Sequence, residues 1–223
     1  MLRGMAARLQ IDLIADVVCP WCYLGWRNVK AALALRPELE ARVTWRPYQL
    51  DPNLPEEGVD RAAYMEAKFP DAERRRSAAE TLTELGRQAG LELKLAEIPR
   101  APNTNAAHRL IRWARGAGRQ DAAVEGVMRA YFTELRDIGD PGVLADIGAD
   151  AGLDRLTVLD LLARGADREQ TAHDAGMARE LGVTGVPFYI LDSRLAVMGA
   201  EPPERLVKAI DAATRERLAP PMQ

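Results

Sequence analysis

Strand-forming sequence in this 223-residue chain is confined to two regions, residues 9–50 and 186–198, and helical patterning fills the stretch between them. Leu9 to Val18 (LQIDLIADVV) is apolar and β-rich and reads as a buried strand. Residues 20–36 take helical spacing, with Leu24, Val29, Leu33 and Leu35, until Arg36-Pro37-Glu38 breaks the pattern. Ala41 to Leu50 (ARVTWRPYQL) is strand-like again, and the Pro/Asp/Gly-rich run from Asp51 to Gly58 marks a boundary. In the second region, Val186 to Leu191 and Leu195 to Met198 read as a hairpin turning at Asp192-Ser193. Pro202-Pro203 then opens a helix carrying Leu206, Val207 and Ile210. A βαβ unit and a ββα unit can share one sheet only if the intervening residues loop out as a body of their own. The expected fold is therefore α/β, a mixed sheet of about four or five strands split by a large all-helical insertion.

The insertion spans 59–181, between sheet segments at 9–58 and 182–217 that form one discontinuous domain. Its helices are punctuated clearly. Ala62, Met65 and Phe69 begin it, Pro70-Asp71 interrupts, and Leu82, Leu85 and Ala89 continue to a stop at Gly90. Val124, Val127, Met128, Tyr131, Phe132 and Leu135 keep helical spacing over three turns. Asp140-Pro141 is an N-cap followed by a first-turn proline, Gly152 is a stop, and Asp154 caps the next helix. A last helix runs from about 167 to Leu181 and ends at Gly182.

The two cysteines of the chain sit at the end of the first strand, as Cys19-Pro20-Trp21-Cys22. Two cysteines placed at random in a chain of this length fall three apart in about 1% of arrangements, so the spacing points to a use. A disulfide across four residues closes almost no loop and adds little chain-entropy stabilisation. What the spacing offers is reversible two-electron chemistry. Cys19 falls at a helix N-terminus, where unpaired N–H groups and the helix dipole favour a thiolate, and Pro20 falls where a missing N–H is tolerated. Cys22, one turn inward, should be more buried and harder to ionise. This asymmetry makes Cys19 the attacking sulfur and Cys22 the resolving one. A zinc site would need two further ligands, and His108 and His173, far apart in sequence, form no ligand pair, so no metal is expected. Two inert core thiols would be the remaining alternative, but Pro20 and Trp21 are poor company for a plain packing turn.

Bulk properties narrow the partners. The net charge of −3 and pI of about 5.6 carry no nucleic-acid footprint. Arg74-Arg75-Arg76 follows two acidic residues and reads as a solvated helix face. No run approaches the ~18 apolar residues of a membrane-spanning helix, and MLRGMAARLQ lacks the apolar core of a secretory signal. A cytoplasmic protein is expected, a setting that suits a catalytic CxxC better than a structural disulfide.

Five stretches in order resemble one family: DVVCPWC at 16–22, TWRPYQLDP at 44–52, PNTNAAHRL at 102–110, YFTELRDIGD at 131–140 and GVTGVPFYILD at 182–192. They are similar to the DsbA-like thioredoxin superfamily, in its FrnE-like branch, which is related to 2-hydroxychromene-2-carboxylate isomerases and kappa-class glutathione transferases. The resemblance runs from about 9 to 213. It implies a thioredoxin-like sheet and a cis peptide before Pro187, in a loop that faces the CxxC, so that Val186 presents its backbone to substrate. It also implies a thiol–disulfide oxidoreductase acting on protein or small-molecule disulfides, with no bound cofactor beyond the redox-active pair Cys19–Cys22 and with glutathione as a candidate co-substrate. A glutathione-dependent isomerase or transferase is the alternative; in those relatives a serine typically stands at the position of Cys19, and a resolving cysteine would be superfluous. A binding module with an inert CxxC is a third reading. Trp21 would offer substrate an apolar contact. His108 and Asn105 could line the pocket or serve as hydrogen-bonded structural residues. Asp16 reads as a strand-end turn former or as a buried carboxylate assisting proton transfer to Cys22. Trp26 and Trp45 are expected in the core and His173 on the surface. The expected partners are a disulfide or dithiol substrate and glutathione, with no nucleic acid or membrane, and the chain is a monomer or homodimer.

Overall fold

The computed structural model describes residues 9–218. A four-stranded mixed sheet has the order β2-β1-β5-β6. Its strands are β1 (Leu9–Ala15), β2 (Ala41–Pro47), β5 (Phe188–Leu191) and β6 (Leu195–Met198); β1 pairs parallel to β2 and antiparallel to β5, and β5 pairs antiparallel to β6. The parallel pair is joined by α1 (Pro20–Ala34), the crossover helix such a pair requires.

Side-chain alternation on β1 sorts the two faces. Leu9, Ile11, Leu13 and Ala15 are buried in the main core. They share it with Tyr189 and Leu191 of β5, with Cys22, Trp26 and Val29 of α1, and with Leu206 and Ile210 of the last helix, α9 (Pro203–Leu218). Ile14 faces the other way, into a smaller cluster with Tyr48, Ala178 and Val183 beneath α8 (Arg168–Glu180). Trp26 and Trp45 meet edge to face at 6.1 Å.

Between the sheet segments lie α2 (Arg61–Lys68), α3 (Ala72–Gln88), α4 (Asn105–Gly116), α5 (Gln120–Phe132), α6 (Pro141–Asp150), α7 (Arg155–Ala163) and α8. Asp60, Asp71, Asp140 and Asp154 each cap a helix, accepting a backbone N–H two or three residues on. The main hydrophobic cluster continues from α1 through Leu110, Val124, Phe132 and Leu144, so residues from both segments share it. Glu125 of α5 fastens the two together: it accepts from Tyr23 Oη at 2.8 Å, Trp26 Nε1 at 3.2 Å and Arg27 Nη1 at 3.2 Å.

The insertion departs from the all-helical expectation at one place. β3 (Val59–Asp60) and β4 (Arg100–Ala101) form a two-residue antiparallel ladder. Gly58, at φ 69°, brings the chain against the backbone of Ala101 and Pro102, closer than any side chain would allow. Boundaries also differ: β2 ends at Pro47 rather than Leu50, and β5 begins at Phe188 rather than Val186. β1 stops at Ala15 because the Cys19 N–H turns back to Asp16 O at 3.1 Å. α5 stops at Phe132, three residues before the periodicity does; Leu135 takes φ 59° and packs on the core from outside the helix.

Candidate active site

Cys19 is the N-cap of α1, in extended conformation, and Pro20 is the first helical residue. The carbonyl of Cys19 accepts the N–H of Cys22 at 2.9 Å and of Tyr23 at 3.2 Å. Its sulfur makes no capping bond to the first turn. It points instead to the loop before β5, where Sγ lies 3.9 Å from the carbonyl oxygen of Val186. The Val186–Pro187 bond is cis. Both thiols are free and buried: Cys19 is 5% exposed and Cys22 is fully enclosed.

Burial pushes the Cys22 thiol well above its ordinary value, and a hydrogen bond to Cys19 and the field of that sulfur add to the effect. A backbone hydrogen bond from Asp16 pulls the other way, while the charge of Asp16 raises it again. The site thus contains one sulfur at the loop-facing edge and a second, protonated sulfur behind it.

Asp16 and His108 build the floor. Asp16 is buried, and its Oδ2 accepts the N–H of Leu50 at 2.7 Å. His108 Nε2 lies 3.2 Å from Asp16 Oδ1 and 3.0 Å from the carbonyl of Tyr48. Trp45 Nε1 donates to His108 Nδ1 at 3.4 Å. Since Nδ1 accepts, the proton belongs on Nε2, which donates to the carboxylate and the carbonyl. His108 is wholly buried and does not reach the surface at the thiols; it connects to them through Asp16.

The other sequence candidates divide. Val186 faces Cys19 through its carbonyl, and Pro187 follows it across the cis bond. Trp21 is half-buried and packs against the main core, less exposed than its place between the cysteines suggests, because the whole motif is recessed. Asn105 opens α4 and spends its side-chain amide on the carbonyl of Arg168, tying α4 to α8. Thr104 is the N-cap residue of α4 but makes no side-chain capping bond; Asn103 Oδ1 accepts the Asn105 N–H at 3.0 Å. His173 is exposed.

Two further residues shape the site. Gly25 lets α1 approach β5: a Cβ there would collide with the Tyr189 hydroxyl and come within 2.8 Å of Pro187 Cγ. Tyr189 is enclosed, its hydroxyl lacks a hydrogen-bond partner, and burial and the nearby Cys22 raise its pKa. A glycine within an amphipathic helix signals a close approach, but the sequence does not say to what. Among the described residues no group of three or more His, Cys, Asp or Glu could hold a metal ion.

A strand delivering a CxxC to a helix N-terminus, opposite a cis-proline loop, is the arrangement the five sequence stretches imply. The family model of the DSBA-like thioredoxin domain matches residues 10–211. The chain belongs to that family. The structure of a probable DsbA oxidoreductase from Streptomyces coelicolor superposes on this family member with a TM-score of 0.87 and 28% identity, covering 97% of this chain and 93% of that one. A 2-hydroxychromene-2-carboxylate isomerase has a TM-score of 0.69 at 16% identity, over 94% of this chain and 98% of its own. The cytosolic disulfide reductase DsbM from Pseudomonas aeruginosa, solved with GSH, has a TM-score of 0.63 at 17% identity, over 94% and 97%. In sequence, the uncharacterized protein YwbO of Bacillus subtilis (strain 168) is 22% identical over 206 residues, 91% of this chain and 96% of that protein. This DsbA-like chain therefore carries a fold shared by oxidoreductases and isomerases. No helix among its described residues is long and apolar enough to cross a membrane.

Proposed function

We propose that the protein is a thiol–disulfide oxidoreductase in which Cys19 attacks and Cys22 resolves. The observation that carries this reading is the pairing of unlike thiols: one facing the Val186 carbonyl at 3.9 Å, the other enclosed behind it and held protonated. In the reducing direction the Cys19 thiolate attacks one sulfur of a substrate disulfide. The S–S bond breaks, the distal sulfur leaves as a thiolate, and the proximal one stays bonded to Cys19. Cys22 then loses its proton and attacks the Cys19 sulfur. The second substrate thiolate leaves, and two electrons have passed to the substrate while a Cys19–Cys22 disulfide has formed. In this scheme Asp16, buried near Cys22, takes the Cys22 proton, and its bonds to His108 and the Leu50 N–H support that role by orienting it. The Val186 backbone and the exposed part of Trp21 hold the substrate segment next to Cys19. Glutathione is the thiol we propose to restore the reduced pair, or to enter as part of the mixed disulfide; the fold likeness to DsbM, solved with GSH, supports it.

The competing reading is a glutathione-dependent isomerase, supported by the likeness to 2-hydroxychromene-2-carboxylate isomerase. It uses one activated thiol and no resolving cysteine. Two variants separate the readings. Under the redox reading, Cys22→Ser accumulates a mixed disulfide with glutathione, detected by intact-protein mass, and loses peptide-disulfide turnover. Cys19→Ser accumulates none. Full turnover in Cys22→Ser, or equal trapping in both variants, refutes these roles and favours the isomerase.

A further inference from the structure

On the face of the sheet opposite α1 lies a cavity of about 340 Å³, floored by β1, β2 and β5 and walled by α4 and α8. It is separate from the thiols. Its floor and mouth are apolar: Ile14, Ile190, Ala178 and Met177 line it, and Leu181, 75% exposed, stands among its lining residues. Its charged lining is three arginines against two aspartates, and His108, whose Nε2 faces Asp16 on the thiol side, also lines it. Both aspartates are already engaged, Asp12 by Arg46 at 2.8 Å and Asp174 by Arg112 at 2.8 Å. Arg115 has no ion pair or hydrogen bond among the described residues, although it is half-buried. Its surroundings discourage charge, first through burial and then through Arg46 and Arg112; Asp174 opposes this and Arg42 adds to the repulsion. A second lining group is also unmatched. Thr171 is 1% exposed, and its hydroxyl has no partner.

A half-buried guanidinium with no hydrogen-bonded acceptor, its nearest carboxylate Asp174 already held by Arg112, and a buried hydroxyl without an acceptor are both costly to leave unmet. Both are donors. One acceptor-rich anion would satisfy them, and a guanidinium fork suits a carboxylate in particular. The apolar floor requires that the rest of the ligand be greasy, and the volume, at the small end of ligand pockets, limits it to a compact body. We propose that this cavity is a second ligand site, selective for a small monocarboxylate with an apolar tail or ring. The proposal does not rest on the redox reading: Arg115 and Thr171, the two donors it uses, lie outside the thiol machinery, although His108 lines both sites.

Octanoate is the probe, titrated by calorimetry and by amide chemical shifts on the full chain, with octylamine and inorganic phosphate as controls. Octanoate binds saturably, and the shifts centre on Ile14, Ala178 and Ile190. Arg115→Gln weakens it at least 10-fold, Arg115→Lys less, and Thr171→Val a few-fold. Neither octylamine nor phosphate matches it. Absence of saturation in the wild-type protein, shifts centred on Cys19 and Val186, unchanged affinity in Arg115→Gln, or octylamine binding as tightly would each overturn the proposal.

Discussion

The enclosed Cys22 thiol has a cost that appears at high pH. Its pKa is raised above the ordinary 9.0, so the folded state holds the proton more tightly than the unfolded chain does. The stability this contributes is complete below about pH 9 and is lost as pH climbs through the raised folded value. Reduced wild-type protein should therefore lose melting temperature above pH 9 more steeply than Cys22→Ala. Tyr23 and Tyr189, also raised, act in the same direction but remain in both proteins, so the difference reports Cys22 together with its effect on Tyr189. Parallel Tm–pH curves would show that the thiol is not held as described. Asp16 gives a second test. Asp16→Asn keeps the shape but replaces an acceptor facing His108 Nε2 by an amide that must present a donor or give up the Leu50 bond. We expect about 1–3 kcal/mol of destabilisation. We also expect stopped-flow kinetics in which mixed-disulfide formation is unchanged and its resolution slows roughly 10-fold or more, in the range of general-base effects; equal slowing of both steps would remove Asp16 from the proton path. The cysteines are legible in the sequence because their spacing has a chemical meaning by itself. The pairing of Asp16 with His108 is not, since it depends on α4 being laid against the end of β2, and spacing along the chain carries no trace of that.

At the scale of elements, α1 and β5 are held close by the absence of a side chain at Gly25. Alanine there should add up to about 1 kcal/mol of helix propensity. It would also meet Tyr189 and Pro187, neither of which is the free end of a flexible chain. Overpacking of this kind costs about 1–3 kcal/mol, so it should win. Gly25→Ala should shift the denaturation midpoint downward and lower disulfide turnover, because the relief available is to move the Val186 carbonyl away from Cys19. A stabilised variant with wild-type turnover would show that the loop does not depend on this contact. The elements themselves are largely readable. The caps at Asp140 and Asp154, the break at Pro70-Asp71, the stops at Gly90, Gly152 and Gly182, and the hairpin at Asp192-Ser193 follow from local chemistry. The ladder of β3 with β4 is too short to imprint a pattern, and α5 ends early because tertiary packing turns Leu135 into a left-handed conformation that periodicity does not register.

For the molecule as a whole, the shared core predicts a shared transition. Three of the four tryptophans, Trp21, Trp26 and Trp45, report on the first sheet segment and Trp113 on α4, while helical ellipticity comes mainly from the stretch between the sheet segments. With one hydrophobic cluster running through both and Glu125 binding α5 to α1, fluorescence and far-UV circular dichroism should trace the same denaturant curve. Separated midpoints would mean that the helical stretch melts on its own. Which strands would neighbour β1 is less readable than which segments are strands, because pairing across so long a gap leaves no local mark. That gap has a consequence for how the protein is made. Cys19 and the Val186 carbonyl it faces are 167 residues apart in sequence. A ribosome adding about 5–20 residues each second takes roughly 10–30 s to cover that distance. Throughout that interval the nascent chain carries both thiols without the loop that completes their surroundings, so the site comes into being late in translation, once β5 has been added beside β1.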